Sequence, residues 1–165
     1  MKKQQLTITY EVFSDISELS QDDATLLLNA RETTVNAYAP YSHFNVAAAA
    51  RMNNGQVLSG TNQENASFPA GICAERVLLS AVSAVYPNEP VQSLAISYRG
   101  DLDNSKRPLA PCGICRQSLA EFERRFHQPI RLILGGMEGD IYIFTSAKDL
   151  LPLDFSKDDL DENTR

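Results

Sequence analysis

Three cysteines and one glutamate carry the chemistry that reads most directly from this chain. Cys73 opens the run CAERVLLSAV, and Cys112 and Cys115 lie within PCGICRQ. Both runs read as helix starts, and Pro111 suits the first turn of the second. A helix N-terminus stabilises anions and lowers the pKa of a thiol. Three thiolates gathered there make a soft, tetrahedral donor set for zinc, with the fourth position left to water. A C-x-x-C pair also serves thiol–disulfide exchange and structural zinc knots. A structural knot wants a fourth protein ligand, and the histidines are poorly suited to it. His43 sits in a predicted loop, and His127 at a predicted helix C-terminus, where a cation suits the dipole. Glu75 follows Cys73 by two residues on the same helix start. Alone it is an ordinary first-turn acid. Beside a metal-activated water it is an acid–base group, the minimum equipment for hydrolysis.

Several elements must position these residues. LTITYEVF, residues 6–13, alternates Leu6, Ile8, Tyr10 and Val12 and predicts a short half-buried strand. A helix is expected after Ser20, with Asp22 and Asp23 in its first turn. Its apolar stripe is Leu26, Leu27, Ala30, Val35 and Ala37, and it stops before Pro40. Asn53-Asn54-Gly55 between residues 45–52 and 56–60 is a hairpin signal, which makes the alanine run 47–50 strand. A loop over 61–72 leads to a helix over 73–85. A strand over 91–98, a polar loop over 99–110 and a helix over 113–126 follow. Strands are expected over 130–134 and 141–144, then a short helix capped by Ser146 that ends near Pro152. This alternation predicts a mixed, partly parallel sheet with helices on both faces.

The composition bounds the function. A chain of 165 residues, 43% hydrophobic and 22% charged, reads as one ordinary globular domain. Its net charge of −6 argues against holding a nucleic acid polymer or an anionic membrane by bulk electrostatics. Asp158, Asp159, Asp161 and Glu162 concentrate that charge in a solvated tail. No apolar run reaches the roughly 20 residues of a bilayer span. MKKQQLTITY lacks the apolar core of a secretory signal, so a cytoplasmic setting is expected, where disulfides are improbable.

The segments YAPYSHFNVAAA (38–49), GTNQENAS (60–67), CAERVLLSAV (73–82), PCGICRQ (111–117) and LLPLDF (150–155) together resemble the cytidine deaminases, specifically the small homotetrameric type. With their spacing they cover most of the chain from Ala30 to Phe155. The resemblance implies a three-layer α-β-α sandwich around a mixed five-stranded sheet. It implies a single domain over 1–165, with an N-terminal extension over 1–19 and an acidic tail over 156–165. Cys73, Cys112 and Cys115 would hold Zn2+, and Glu75 would relay protons as water replaces the C4 amine of cytidine or 2'-deoxycytidine. Asn62 and Glu64 match the pair that holds the ribose hydroxyls, Phe44 the aromatic on the pyrimidine, and the Ala74 N–H the donor to its O2. Arg76 matches an arginine that hydrogen-bonds a zinc thiolate. Phe155 matches an aromatic sent into the neighbouring subunit's pocket of a homotetramer.

The chain departs from the family where Ala47 replaces a usual glycine and Phe68 a usual tyrosine. The alternatives are a nucleoside-antibiotic deaminase of the blasticidin type and a non-catalytic structural zinc module. Polynucleotide editing is disfavoured by the negative charge and the lack of a basic, aromatic-interleaved groove.

Overall fold

The backbone of this sheet can be followed strand by strand in the computed structural model, which describes residues 1–100 and 105–160. Among these residues six strands pair into one sheet: β1 (Glu11–Phe13), β2 (Asn45–Met52), β3 (Val57–Thr61), β4 (Val91–Arg99), β5 (Arg131–Gly135) and β6 (Ile141–Phe144). The order is β1-β6-β5-β4-β2-β3, and only β4–β5 is parallel. The helices are α1 (Gln21–Thr33), α2 (Ala74–Val85) and α3 (Gly113–Phe126). Residues 101–104, inside the expected 99–110 loop, and 161–165 of the acidic tail lie outside the described residues.

Strand alternation sorts the core into two layers. Leu26, Leu27 and Ala30 of α1 pack with Ala49, Ala95, Ile133, Ile141 and Ile143 on one face. On the other face Ala48, Ala50, Leu94, Ile96, Leu132 and Leu134 meet Leu78 and Val82 of α2 and Leu119 and Phe122 of α3. The α-β-α layering expected from the sequence is therefore present. The alanine run is strand, closed by a tight turn in which the Gly55 N–H donates to the Met52 carbonyl at 2.9 Å. At Gly60 the first turns of α2 press directly on β3. A Cβ there would stand 2.7 Å from the Leu78 amide nitrogen and 2.9 Å from the Ala74 carbonyl oxygen.

Four expectations need correction. The sheet has six strands, not five, because β1 of the N-terminal extension adds to β6. That strand covers Glu11–Phe13, not residues 6–13. Glu11 is already opposite Ile143, and β6 ends at Phe144, so the preceding residues have no strand to pair with. Tyr10 instead lays its ring over Phe144, with centroids 5.1 Å apart. Helix α1 ends at Thr33, and Val35 is exposed rather than part of its stripe. The hydroxyls of Thr33 and Thr34 bond back to the carbonyls of Asn29 and Arg31, at 2.8 and 2.7 Å, competing with the helix ladder. The last helix is a single 3-10 turn, Ala147–Leu150, and Ser146 does not cap it. Its hydroxyl donates to Glu123 at 2.8 Å. The solvated tail also starts with structure, a 3-10 turn over Lys157–Asp159 closed by a Ser156–Asp159 capping box.

Candidate metal centre and substrate cleft

Two helix N-termini meet at the three cysteines. Cys73 is the N-cap of α2 and Cys112 the N-cap of α3, both with extended backbone and neither using its side chain as a cap. Their carbonyls accept the first helical bonds, from Val77 at 3.1 Å and Arg116 at 2.9 Å, which leaves both Sγ atoms free to turn outward. Cys115 lies in the first turn of α3 and is buried. The Cys73–Cys112 sulfurs are 3.7 Å apart and the Cys112–Cys115 sulfurs 3.5 Å. A tetrahedral ion with Zn–S bonds of about 2.3 Å separates its sulfurs by about 3.8 Å, so the spacing fits. No other group of three or more metal-binding side chains occurs among the described residues. The donors are soft and clustered, and the cofactor that suits them is zinc.

The cluster is electrostatically uneven. Hydrogen bonds from Cys115 and then Cys112 hold the Cys73 thiol down to about 6 against its burial, with the Arg76 charge assisting. Cys115 is pushed far up, first by its bond to Cys73 and then by burial. Glu75 is 4% exposed, and burial, with the Cys73 charge nearby, raises its carboxyl above the usual range. A carboxyl so placed is suited to taking and returning protons.

A cleft of about 440 Å³ opens beside the cluster. It brings together Phe44, Asn62, Glu64, Ala74 and Glu75 with Cys73 and Cys112. The loop before α2 achieves this by closing on itself: Gln63 and Ile72 exchange two backbone hydrogen bonds of 3.0 Å. Asn62 fastens the cleft floor, accepting from the Val46 N–H at 2.8 Å and donating to the Phe44 carbonyl at 2.9 Å. One amide hydrogen of Asn62 remains for a ligand. Phe44 leans on Tyr98, with ring centroids 4.9 Å apart. Glu64 accepts from the Ser42 hydroxyl at 2.5 Å and the Tyr41 N–H at 2.8 Å. These bonds, the Ser42 hydroxyl first, hold its carboxyl below the usual range.

Two expected residues lie away from this cleft. Arg76 lines a separate groove between α2 and α3; its backbone N–H donates to the Cys73 carbonyl at 3.1 Å, and its side chain has no hydrogen bond among the described residues. It acts on Cys73 through space. Phe155 is 59% exposed. The strap that carries it is tied to α3, since Arg116 donates to the Leu150 carbonyl at 3.0 Å, Gln117 to the Phe155 carbonyl at 2.7 Å, and Arg124 pairs with Asp154 at 2.5 Å.

Sequence reasoning missed Ser42 and undervalued Arg116. Ser42 also accepts the Phe44 N–H at 3.1 Å, so it links Phe44 to Glu64. Serine two residues before that aromatic is the signal of a local hydroxyl turn. From the sequence, Arg116 has a weaker case than Arg76 for the thiolate and reads otherwise as a structural ion-pair partner. It donates instead to two carbonyls, Pro111 at 2.8 Å and Leu150, and so steadies the loop that carries Cys112.

Comparison with known proteins decides the family. Residues 20–127 match the cytidine and deoxycytidylate deaminase zinc-binding region. The chain belongs to this deaminase family. A cytidine deaminase of Halalkalibacterium halodurans is 37% identical over 141 residues, 86% of this chain and 99% of that protein. One from Sporosarcina psychrophila is 37% identical over 84% of this chain and 95% of its own length. The crystal structure of a cytidine deaminase from Burkholderia pseudomallei superposes with a TM-score of 0.68 at 38% identity, covering 83% of this chain and 100% of that one. A blasticidin-S deaminase of Bacillus cereus is more distant, at 28% identity over 141 residues. The family's zinc region spans both cysteine-bearing helix starts. No helix among the described residues is long and apolar enough to cross a membrane.

Proposed function

We propose that this protein hydrolytically deaminates cytidine and 2'-deoxycytidine to the corresponding uridines, with release of ammonia. One observation carries the reading: Glu75 is buried in the same cleft as the cysteine cluster and the Phe44, Asn62 and Glu64 side chains. Cys73, Cys112 and Cys115 would hold zinc, which would supply an activated water at neutral pH. Glu75 is the group that accepts and returns protons in the cleft, serving N3 and the departing amine. Phe44 packs on the pyrimidine face. The Ala74 N–H, at the start of α2 where no intrahelical acceptor exists, meets O2. The free amide hydrogen of Asn62 and the Glu64 carboxylate take the ribose hydroxyls. Arg76 offsets the negative charge of three thiolates from outside the cleft.

Assembly belongs to the same reading. A homotetramer would take the exposed Phe155 into the neighbouring subunit's cleft, and the tethered strap is suited to present it. Three unpaired cysteines at this spacing suit a reducing, cytoplasmic setting. A spectrophotometric assay with cytidine, run beside metal analysis, tests the whole. No turnover from zinc-loaded protein would overturn the activity. Faster turnover of blasticidin S in the same assay would transfer the reading to the antibiotic class.

A further inference from the structure

The turn between β5 and β6 meets residues 105–107, the segment that leads into a wall of the cleft, with no room for a side chain. A Cβ on Gly136 would overlap the Ser105 carbonyl oxygen and stand 3.0 Å from that of Arg107. A Cβ on Gly139 would overlap the Lys106 carbonyl. All are backbone atoms, which cannot swing aside. The contact is also bonded, because the Met137 N–H donates to the Ser105 carbonyl at 2.7 Å. Ser105 is 1% exposed, with a φ of 53°, and its hydroxyl accepts the Gly100 N–H at 2.9 Å. From the other side, Arg31 of α1 donates through Nε to the Gly136 carbonyl at 2.9 Å. Helix α1 thus holds the turn, and the turn holds residues 105–107. Leu109 and Ala110, a few residues on, line the substrate cleft with Phe44.

We propose that the β5–β6 turn is a positioning element for the reaction: the absence of side chains at Gly136 and Gly139 sets where Leu109 and Ala110 stand in the cleft. The proposal rests on the cytidine reading for its kinetic arm only. Neither glycine touches the cysteines or Glu75, so the effect falls on substrate fit. Gly136→Ala must push the 105–107 backbone back. Arg31→Met frees the turn from α1 without adding bulk at the contact.

The test compares wild type, Gly136→Ala, Arg31→Met, Leu109→Ala and the Gly136→Ala/Leu109→Ala double variant. Both single variants of the turn should keep one zinc per chain and a kcat within about 3-fold, while KM for cytidine rises about 10-fold. The double variant should be little worse than Leu109→Ala alone, because both act through one wall. Hydrogen exchange across residues 105–110 should speed up in Arg31→Met. If Gly136→Ala does not fold, Arg31→Met carries the test. An unchanged KM in zinc-loaded variants, additive effects with Leu109→Ala, or loss of zinc would each overturn the proposal. Wild type inactive on cytidine would overturn the functional reading instead, and the exchange rates alone would then decide the positioning role: unchanged exchange overturns it.

Discussion

Gly60→Ala is expected to damage catalysis from beneath the site. Gly60 lies in β3 opposite Ala48, where α2 crosses the sheet. The new methyl would face the Leu78 amide nitrogen at 2.7 Å, the Ala74 carbonyl oxygen at 2.9 Å and the Leu78 Cα at 3.0 Å. Ordinary contact begins near 3.4 Å, so the shortfall is about 0.7 Å, and every obstructing atom is backbone. The start of α2 must lift by about that amount. Cys73 and Glu75 ride on this turn, whereas Cys112 and Cys115 ride on α3 and stay. The site is thus sheared between its two halves. A misplacement of about 1 Å at a reacting centre costs about 100-fold, so a kcat loss of about 10- to 100-fold is expected. Overpacking of this kind costs about 1–3 kcal/mol, and at this size each kcal/mol lowers Tm by about 2–4 °C. Cytidine turnover followed by absorbance, calorimetry and zinc content give the three readouts. A variant with lowered Tm, full zinc and kcat within 3-fold of wild type would refute the reasoning, since α2 would then move without consequence for Glu75.

Other substitutions separate the remaining roles. Glu75→Gln should keep fold and zinc and lose about 100- to 10,000-fold in kcat, because a near-isosteric amide cannot relay protons; activity within a few-fold would assign the relay to another group. Arg76→Gln should lower turnover or zinc affinity by about 10- to 100-fold with little change in Tm, and unchanged kinetics would leave it an ordinary groove residue. Arg116→Met removes donors from the Pro111 and Leu150 carbonyls and should lower zinc affinity together with Tm; competition against a chromophoric chelator measures the first. Refolding Glu75→Ala together with Phe155→Ala should give mixed oligomers more active than the mean of the parents, provided Phe155→Ala alone is impaired; shown mixing without that gain rejects the shared site.

The parts of this site that could be read in the sequence are those whose chemistry dictates their spacing. Cys73, Glu75 and the Cys112–Cys115 pair declare themselves because a metal and a proton relay need those types at those intervals. Asn53-Asn54-Gly55 announces the hairpin for the same local reason. What escaped depends on distant partners. The length of β1 is set by where β6 ends, and nothing near residue 6 records that. Ser146 looks like a helix cap until its hydroxyl is found on Glu123, 23 residues away. Arg116 reads as an ion-pair partner, because carbonyl acceptors leave no mark in the sequence. The early end of α1 was legible in principle, since Thr33 and Thr34 are adjacent hydroxyls that compete locally for carbonyls. The contacts of Gly60 and Gly136 consist of backbone atoms and carry no residue signature at all.

The four alanines of β2 have a consequence for anyone who maps this protein by saturation mutagenesis. Ala47 to Ala50 are all fully buried, and the methyls of Ala48, Ala49 and Ala50 alternate between the two core layers. Any larger residue forces one helical layer off the sheet, so these columns will tolerate almost nothing, as the columns for Cys73, Glu75, Cys112 and Cys115 will. A fitness score alone would draw both sets as one functional patch. Cellular abundance, measured in parallel, divides them: variants at 47–50 should vanish from the cell, whereas Glu75 variants should accumulate as well-folded, inactive protein.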